Sequence, residues 1–191
     1  MVQTTLDTYL RLPRRRYFSA LEWHAVAIGS IAAAVLIIGY GFGFEPLQTI
    51  IPGFPTMKAR TAAALMTLSV SFLMSLRESR RSRWGSAAIA GALVVLLGHM
   101  LLTRDQSTGS DPWSVIPSNA TIFGLLIGAV TLIVINLKPR WSLAAGVLAL
   151  VAATPALFRI FGLILFQGAP DEDSPLNTMA LHTATLIAWF M

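Results

Sequence analysis

Cysteine is absent from all 191 residues, so disulfides, thiolate nucleophiles and Cys-ligated zinc or iron–sulfur sites are excluded. Charge is scarce as well. Asp, Glu, Lys and Arg make up 12% of the chain, about half their share in soluble domains, so the surroundings this chain suits are a bilayer rather than water. Catalytic groupings are also missing. The acidic residues fall almost entirely between apolar runs, and no nucleophile–base spacing, phosphate loop or metal motif occurs. The net charge of +5 hints at a polyanion partner until its sources are located. Most of the basic residues form short clusters between apolar runs, where they act as topology signals, so no nucleic-acid partner is expected.

What the chain does have is apolar length. Hydrophobic residues are 55% of it, with a mean hydropathy of +0.68. Five segments approach or exceed the roughly 20 residues that cross a bilayer core: Leu21–Phe44, Met57–Leu76, Trp84–Leu102, Asn119–Leu137 and Trp141–Phe166, with a sixth starting at Met179. They are continuously apolar and too long for barrel strands, and a lipid-facing backbone must satisfy its own hydrogen bonds, so each is expected to be a helix. The fold class is therefore an all-α integral membrane protein of six transmembrane helices, the sixth truncated at Met191, with residues 1–20 as a cytoplasmic N-terminal segment and 21–191 as the membrane domain. "RRYF" at Arg15–Phe18 looks like part of an export signal, but the run behind it is longer than a signal core and no small-residue cleavage site follows. It is read as a retained helix.

Charge sets the expected orientation. Arg11, Arg14, Arg15 and Arg16 precede the first segment, Arg77, Arg80, Arg81 and Arg83 separate the second from the third, and Lys138 and Arg140 the fourth from the fifth. The alternate loops hold Glu45, Asp105, Asp111, Asp171, Glu172 and Asp173, with only Lys58, Arg60 and Arg104 as basic residues. By the positive-inside rule both termini are cytoplasmic, and Trp23, Trp84 and Trp141 fall at cytoplasmic helix ends as an aromatic belt would place them. The inner connections, "RESRRSR" and "KPR", are short and predict tight helical hairpins. The outer ones are longer and carry most of the prolines.

Three outer helix starts resemble one another: "MKARTAAALM" at Met57, "IPSNATIFGL" at Ile116 and "MALHTATLIA" at Met179. Each has an apolar residue, then a polar one three positions on (Arg60, Asn119, His182), followed by small Ala and Thr. They lie about 60 residues apart, one hairpin plus one loop, which is the pattern of a repeated supersecondary unit. Ser/Thr/Ala-rich helix starts also look alike by chance. "GYGFG" at Gly39–Gly43 and "GLLIG" at Gly124–Gly128 read as small-residue packing faces.

"PGFPTMKARTAAALMTL" and "SPLNTMALHTATLIAWF" resemble the repeated helix starts of the MASE-type membrane sensor regions that precede bacterial histidine kinases and diguanylate cyclases. Arg60 and Asn119-Ala120-Thr121 depart from that pattern's Asn-Thr-Ala order. The resemblance implies a sensory input module in the bacterial cytoplasmic membrane. Its last helix would feed an output domain beyond residue 191, through which the protein would form a homodimer. It also implies no catalysis within this chain and offers a reason why the sixth helix is short.

Candidate chemistry gathers at the outer rim. Arg60, Asn119 and His182 share one repeat position, and Arg159, in the fifth segment after Pro155, is expected at similar depth. An intramembrane arginine is costly unless paired or snorkelling. Arg159 either snorkels toward Asp171–Asp173 or lines a pocket with the other three, suited to an anion or a polar headgroup. The ligand is then an unidentified small molecule or a membrane lipid. His99 and His182 are expected to lie toward the same face, which leaves open a small b-type cytochrome ligated by that pair; no dedicated metal site is expected. A structural subunit of a larger membrane complex is the remaining alternative. Transport is disfavoured, because the repeat is parallel and the polar residues sit at the rim rather than the midplane.

Overall fold

A computed structural model describes residues 14–48, 56–77, 79–103, 117–166, and Thr183, Ala184 and Ile187. All its regular structure is helical; among the described residues there is no strand. The helices are α1 (Arg14–Ala34), α2 (Ala59–Ser75), α3 (Arg80–Leu102), α4 (Asn119–Leu137) and α5 (Ser142–Phe166). Serine caps begin two of them: the Ser79 Oγ accepts from the Ser82 N–H and the Ser118 Oγ from the Thr121 N–H, filling donors that a helix start leaves open. Lys138 ends α4, and a 3-10 turn over Pro139–Trp141 leads straight into α5, which stays helical through Pro155.

The first apolar segment departs from the single helix its composition suggests. α1 starts in the arginine cluster at Arg14, and beyond Ala34 the chain widens into a π-helix, Val35–Gly41. It then bends, with Gly43 at φ +70°, and turns back as a single helical turn, Glu45–Gln48. Gly39 permits this. A Cβ there would lie 3.2 Å from the Gln48 Cγ, and the Gln48 Nε2 donates to the Gly39 carbonyl at 2.6 Å. The Tyr40 hydroxyl donates to the Met57 carbonyl, also at 2.6 Å, joining this end of α1 to the start of α2. "GYGFG" is thus a fold-back point rather than a helix–helix packing stripe.

The helices pack as antiparallel neighbours in chain order, with α2 also touching α4. Small residues set the spacing. Gly29 of α1 meets Ser69 of α2, and Gly124 of α4 comes within ordinary contact of the Ala152 carbonyl on α5 and of Ile187. The core is rich in alanine (Ala32, Ala62, Ala90, Ala129, Ala156), interleaved with Leu65, Leu68, Leu97, Ile122 and Leu125, and it takes in Ala184 and Ile187 from the sixth segment. Large apolar side chains point the other way: Ile37, Val95, Leu102, Leu143 and Leu150 are all more than 60% exposed. Small residues inside and bulky apolar ones outside are what a bundle solvated by lipid requires.

Among the described residues three helices are long and apolar enough to cross a membrane: Ala20–Gly41, α3 and α4. α2, at 17 residues, and the stretch Pro139–Thr154 are shorter apolar helices. The described part is all-helical, and by length and composition its long apolar helices suggest a membrane protein. Its bundle has a basic end, with the starts of α3 and α5 and the end of α4, and an opposite end where α2 and α4 begin and α3 finishes.

Candidate functional site

Arg60 lies in the first turn of α2 and His99 in the last turn of α3. Because the two helices form an antiparallel hairpin, these residues come to the same level. They line a partly open cavity of about 440 Å³, together with Ala63, Ala64, Thr67, Leu93, Leu96, Met100 and Thr103. Its chemistry changes along the helices. Arg60, His99 and Thr103 lie at the end of the hairpin away from the basic end, and Ala63, Ala64, Thr67, Leu93 and Leu96 lie farther along the helices, with Leu96 half-exposed and Thr67 the one polar side chain among them.

The hydroxyls here are already committed as donors. Thr67 donates to the Ala63 carbonyl at 2.8 Å and Thr103 to the His99 carbonyl at 2.9 Å, so toward a ligand each oxygen can only accept. Among the described residues, side-chain donors for a ligand therefore come from the Arg60 guanidinium and the His99 ring. Among the described residues no carboxylate lines the cavity. A cation and an imidazole at one end of a mostly apolar slot suit an amphiphile with an anionic or strongly polar head, and the volume lies within the usual range for small-molecule sites.

The other candidates stand as follows. Asn119 is exposed at the first position of α4 and is not part of this cavity. Arg159 belongs to the C-terminal half of α5, with its side chain outside those described. His182 lies outside the described residues, so its pairing with His99 does too. Of the two expected pocket residues whose side chains are described, Arg60 lines this cavity and Asn119 does not, and a described polar companion of Arg60 in the lining is His99. Among the described residues no group of three or more His, Asp or Glu side chains gathers where a metal ion would sit.

No known family matches this chain. Nor does any curated protein or solved structure match it.

A second polar cluster, at the basic end, has no counterpart in the sequence reading. The Asn136 Nδ2 donates to the Ser86 Oγ at 3.0 Å and to the Leu132 carbonyl at 2.7 Å. The Ser71 Oγ lies 3.0 Å from the Ser86 carbonyl, to which it donates, and 3.1 Å from the Ser86 Oγ. From the rim, the Arg83 Nη2 donates to the Asn136 carbonyl at 2.9 Å. All three buried side chains, Ser71, Ser86 and Asn136, are thus satisfied, and together they tie α2, α3 and α4. The available signal was Asn136, the one amide inside an otherwise apolar run.

Proposed function

We propose that this chain is the membrane-embedded input module of a signalling protein, which takes a lipid or quinone-like amphiphile into the cavity between α2 and α3. The observation that carries this reading is that Arg60 and His99 line one end of a cavity whose remaining described lining is mostly apolar. Polar-headed, apolar-tailed molecules are the class such a lining favours. The positive-inside rule supports assigning the basic end to the cytoplasm, with six crossings and both termini on that side. Ligand would then enter from the outer leaflet. The buried Ala184 and Ile187 support a route outward, because they join the sixth segment to the same core as α2 and α4. The likeness of its helix start to sensor regions of kinases and cyclases agrees with that direction.

Binding is tested on the purified chain with a short-chain quinone and, separately, a short-chain phosphatidic acid as probes. Arg60→Gln and His99→Ala are each expected to weaken the better probe about tenfold, the usual cost of one good polar contact, while Lys58→Gln leaves it unchanged. Wild-type affinity in both cavity variants removes the site. The signalling half is tested by the reading frame: a kinase or cyclic-dinucleotide domain encoded after the sixth segment supports it, and a stop codon there overturns it.

A further inference from the structure

The basic end has a cleft of its own, about 400 Å³, lined by Arg80, Arg83, Trp84, Asn136, Leu137 and Pro139. Arg80, Arg83 and Trp84 are spaced i, i+3 and i+4, so they share one face of α3. The two guanidiniums differ in freedom. Arg83 is held by its bond to the Asn136 carbonyl, which uses one of five N–H donors and fixes the group at the cleft. Arg80 is exposed beside it. In sequence, the "RESRRSR" stretch that leads into α3 sets Arg77, Arg80, Arg81 and Arg83 against Glu78. Lys138 is engaged elsewhere, its Nζ 4.8 Å from the centre of the Trp141 ring.

We infer that this cleft binds the phosphate of an anionic phospholipid from the leaflet at the basic end. Two arginines on one face present paired donors that fit tetrahedral phosphate oxygens better than point charges do. The walls argue for a lipid over a free anion. Trp84 and Leu137 are both exposed apolar surfaces beside the guanidiniums, placed to meet the glycerol backbone and upper acyl chain. Trp84 and Trp141, more than half exposed at this end, mark the level where indoles meet headgroups. Basic pockets between membrane helices are a recurring form of anionic-lipid recognition. This inference stands apart from the α2–α3 cavity and survives that site's failure.

The test is native mass spectrometry of the delipidated full chain titrated with phosphatidylglycerol, phosphatidylcholine or inorganic phosphate. Phosphatidylglycerol is expected to bind in preference to phosphatidylcholine, and the Arg80→Gln/Arg83→Gln pair to weaken it about tenfold. Arg140→Gln removes a charge from the same end outside the cleft and is expected to leave binding unchanged. Since Arg83 also braces α4, Arg80→Gln alone is the variant that keeps the brace, and it should weaken binding severalfold. Undiminished binding in a folded Arg80→Gln protein overturns the inference. So does an equal loss in Arg140→Gln, which would mean bulk charge, or displacement of the lipid by inorganic phosphate, which would assign the cleft to a free anion.

Discussion

A hydroxyl or amide inside a lipid-solvated bundle can turn to its own helix or to a neighbour, and this chain uses both solutions for different ends. Thr67, Ser69, Thr131 and Thr154 each donate to the carbonyl four residues back, which satisfies the side chain and joins nothing. Ser71, Ser82 and Asn136 reach across: Ser82 donates to the Met74 carbonyl at 2.6 Å, and the other two meet at Ser86. Only the second group should matter to assembly. A double-mutant cycle on Asn136→Leu and Ser86→Ala, read by unfolding titration in bicelles, is expected to give a coupling of about 0.6 to 1.7 kcal/mol, the span measured for hydrogen bonds between membrane helices. The same cycle on Asn136→Leu and Thr154→Ala should give none. A coupling near zero in the first cycle would mean that the bond orders the helices without stabilising them.

At the level of elements, composition and structure agree most closely where one physical signal acts alone. α4 runs from Asn119 to Leu137, the same bounds as its apolar run, because a serine cap starts it and Lys138-Pro139 ends it. α1 was harder to read. Hydropathy alone does not register that arginines are good helix formers, so the helix starts earlier than the apolar run, and it does not distinguish π turns from α turns, so the change at Val35 left no trace. The fold-back of Glu45–Gln48 rests on a hydrogen bond to a carbonyl, Gly39, which composition cannot show. Gly39→Val would push a branched side chain into Gln48 and break that bond. Hydrogen exchange at the Leu47 and Gln48 amides is expected to speed up at least tenfold, an opening cost of about 1.4 kcal/mol removed, while the α3 amides keep their rates. Unchanged exchange at Leu47 and Gln48 would show that the turn holds without Gly39.

For the molecule as a whole, the expected convergence at one end rested on a shared repeat position for Arg60, Asn119 and His182 and on similar depth for Arg159, and neither fixes which helix faces meet. The hairpin register does. Equal steps back from Met74 and on from Gly85, which lie close together near the turn, arrive at Arg60 and His99; the short "RESRRSR" connection showed that a tight hairpin forms, but the pairing itself needed that register contact. Orientation can be tested directly, because a chain without cysteine accepts single labels cleanly. Arg140→Cys is expected to react with a membrane-impermeant maleimide only after cells are opened, and Glu45→Cys to react in intact cells; the reverse pattern would invert the positive-inside assignment. The polar ties between α2 and α3 also have a mechanical meaning. They lie at the basic end, around Ser71, Ser82 and Ser86, whereas the cavity lies between the same helices near Arg60 and His99. The pair is built like tongs, with a pivot at one end and jaws at the other. From Ser71 to Arg60 the arm is about 16 Å at 1.5 Å per residue, so jaws spread by about 1 Å turn the helices by only about 4°. A wedge in the jaws therefore reaches the basic end as a small change of angle, with the pivot staying where it is.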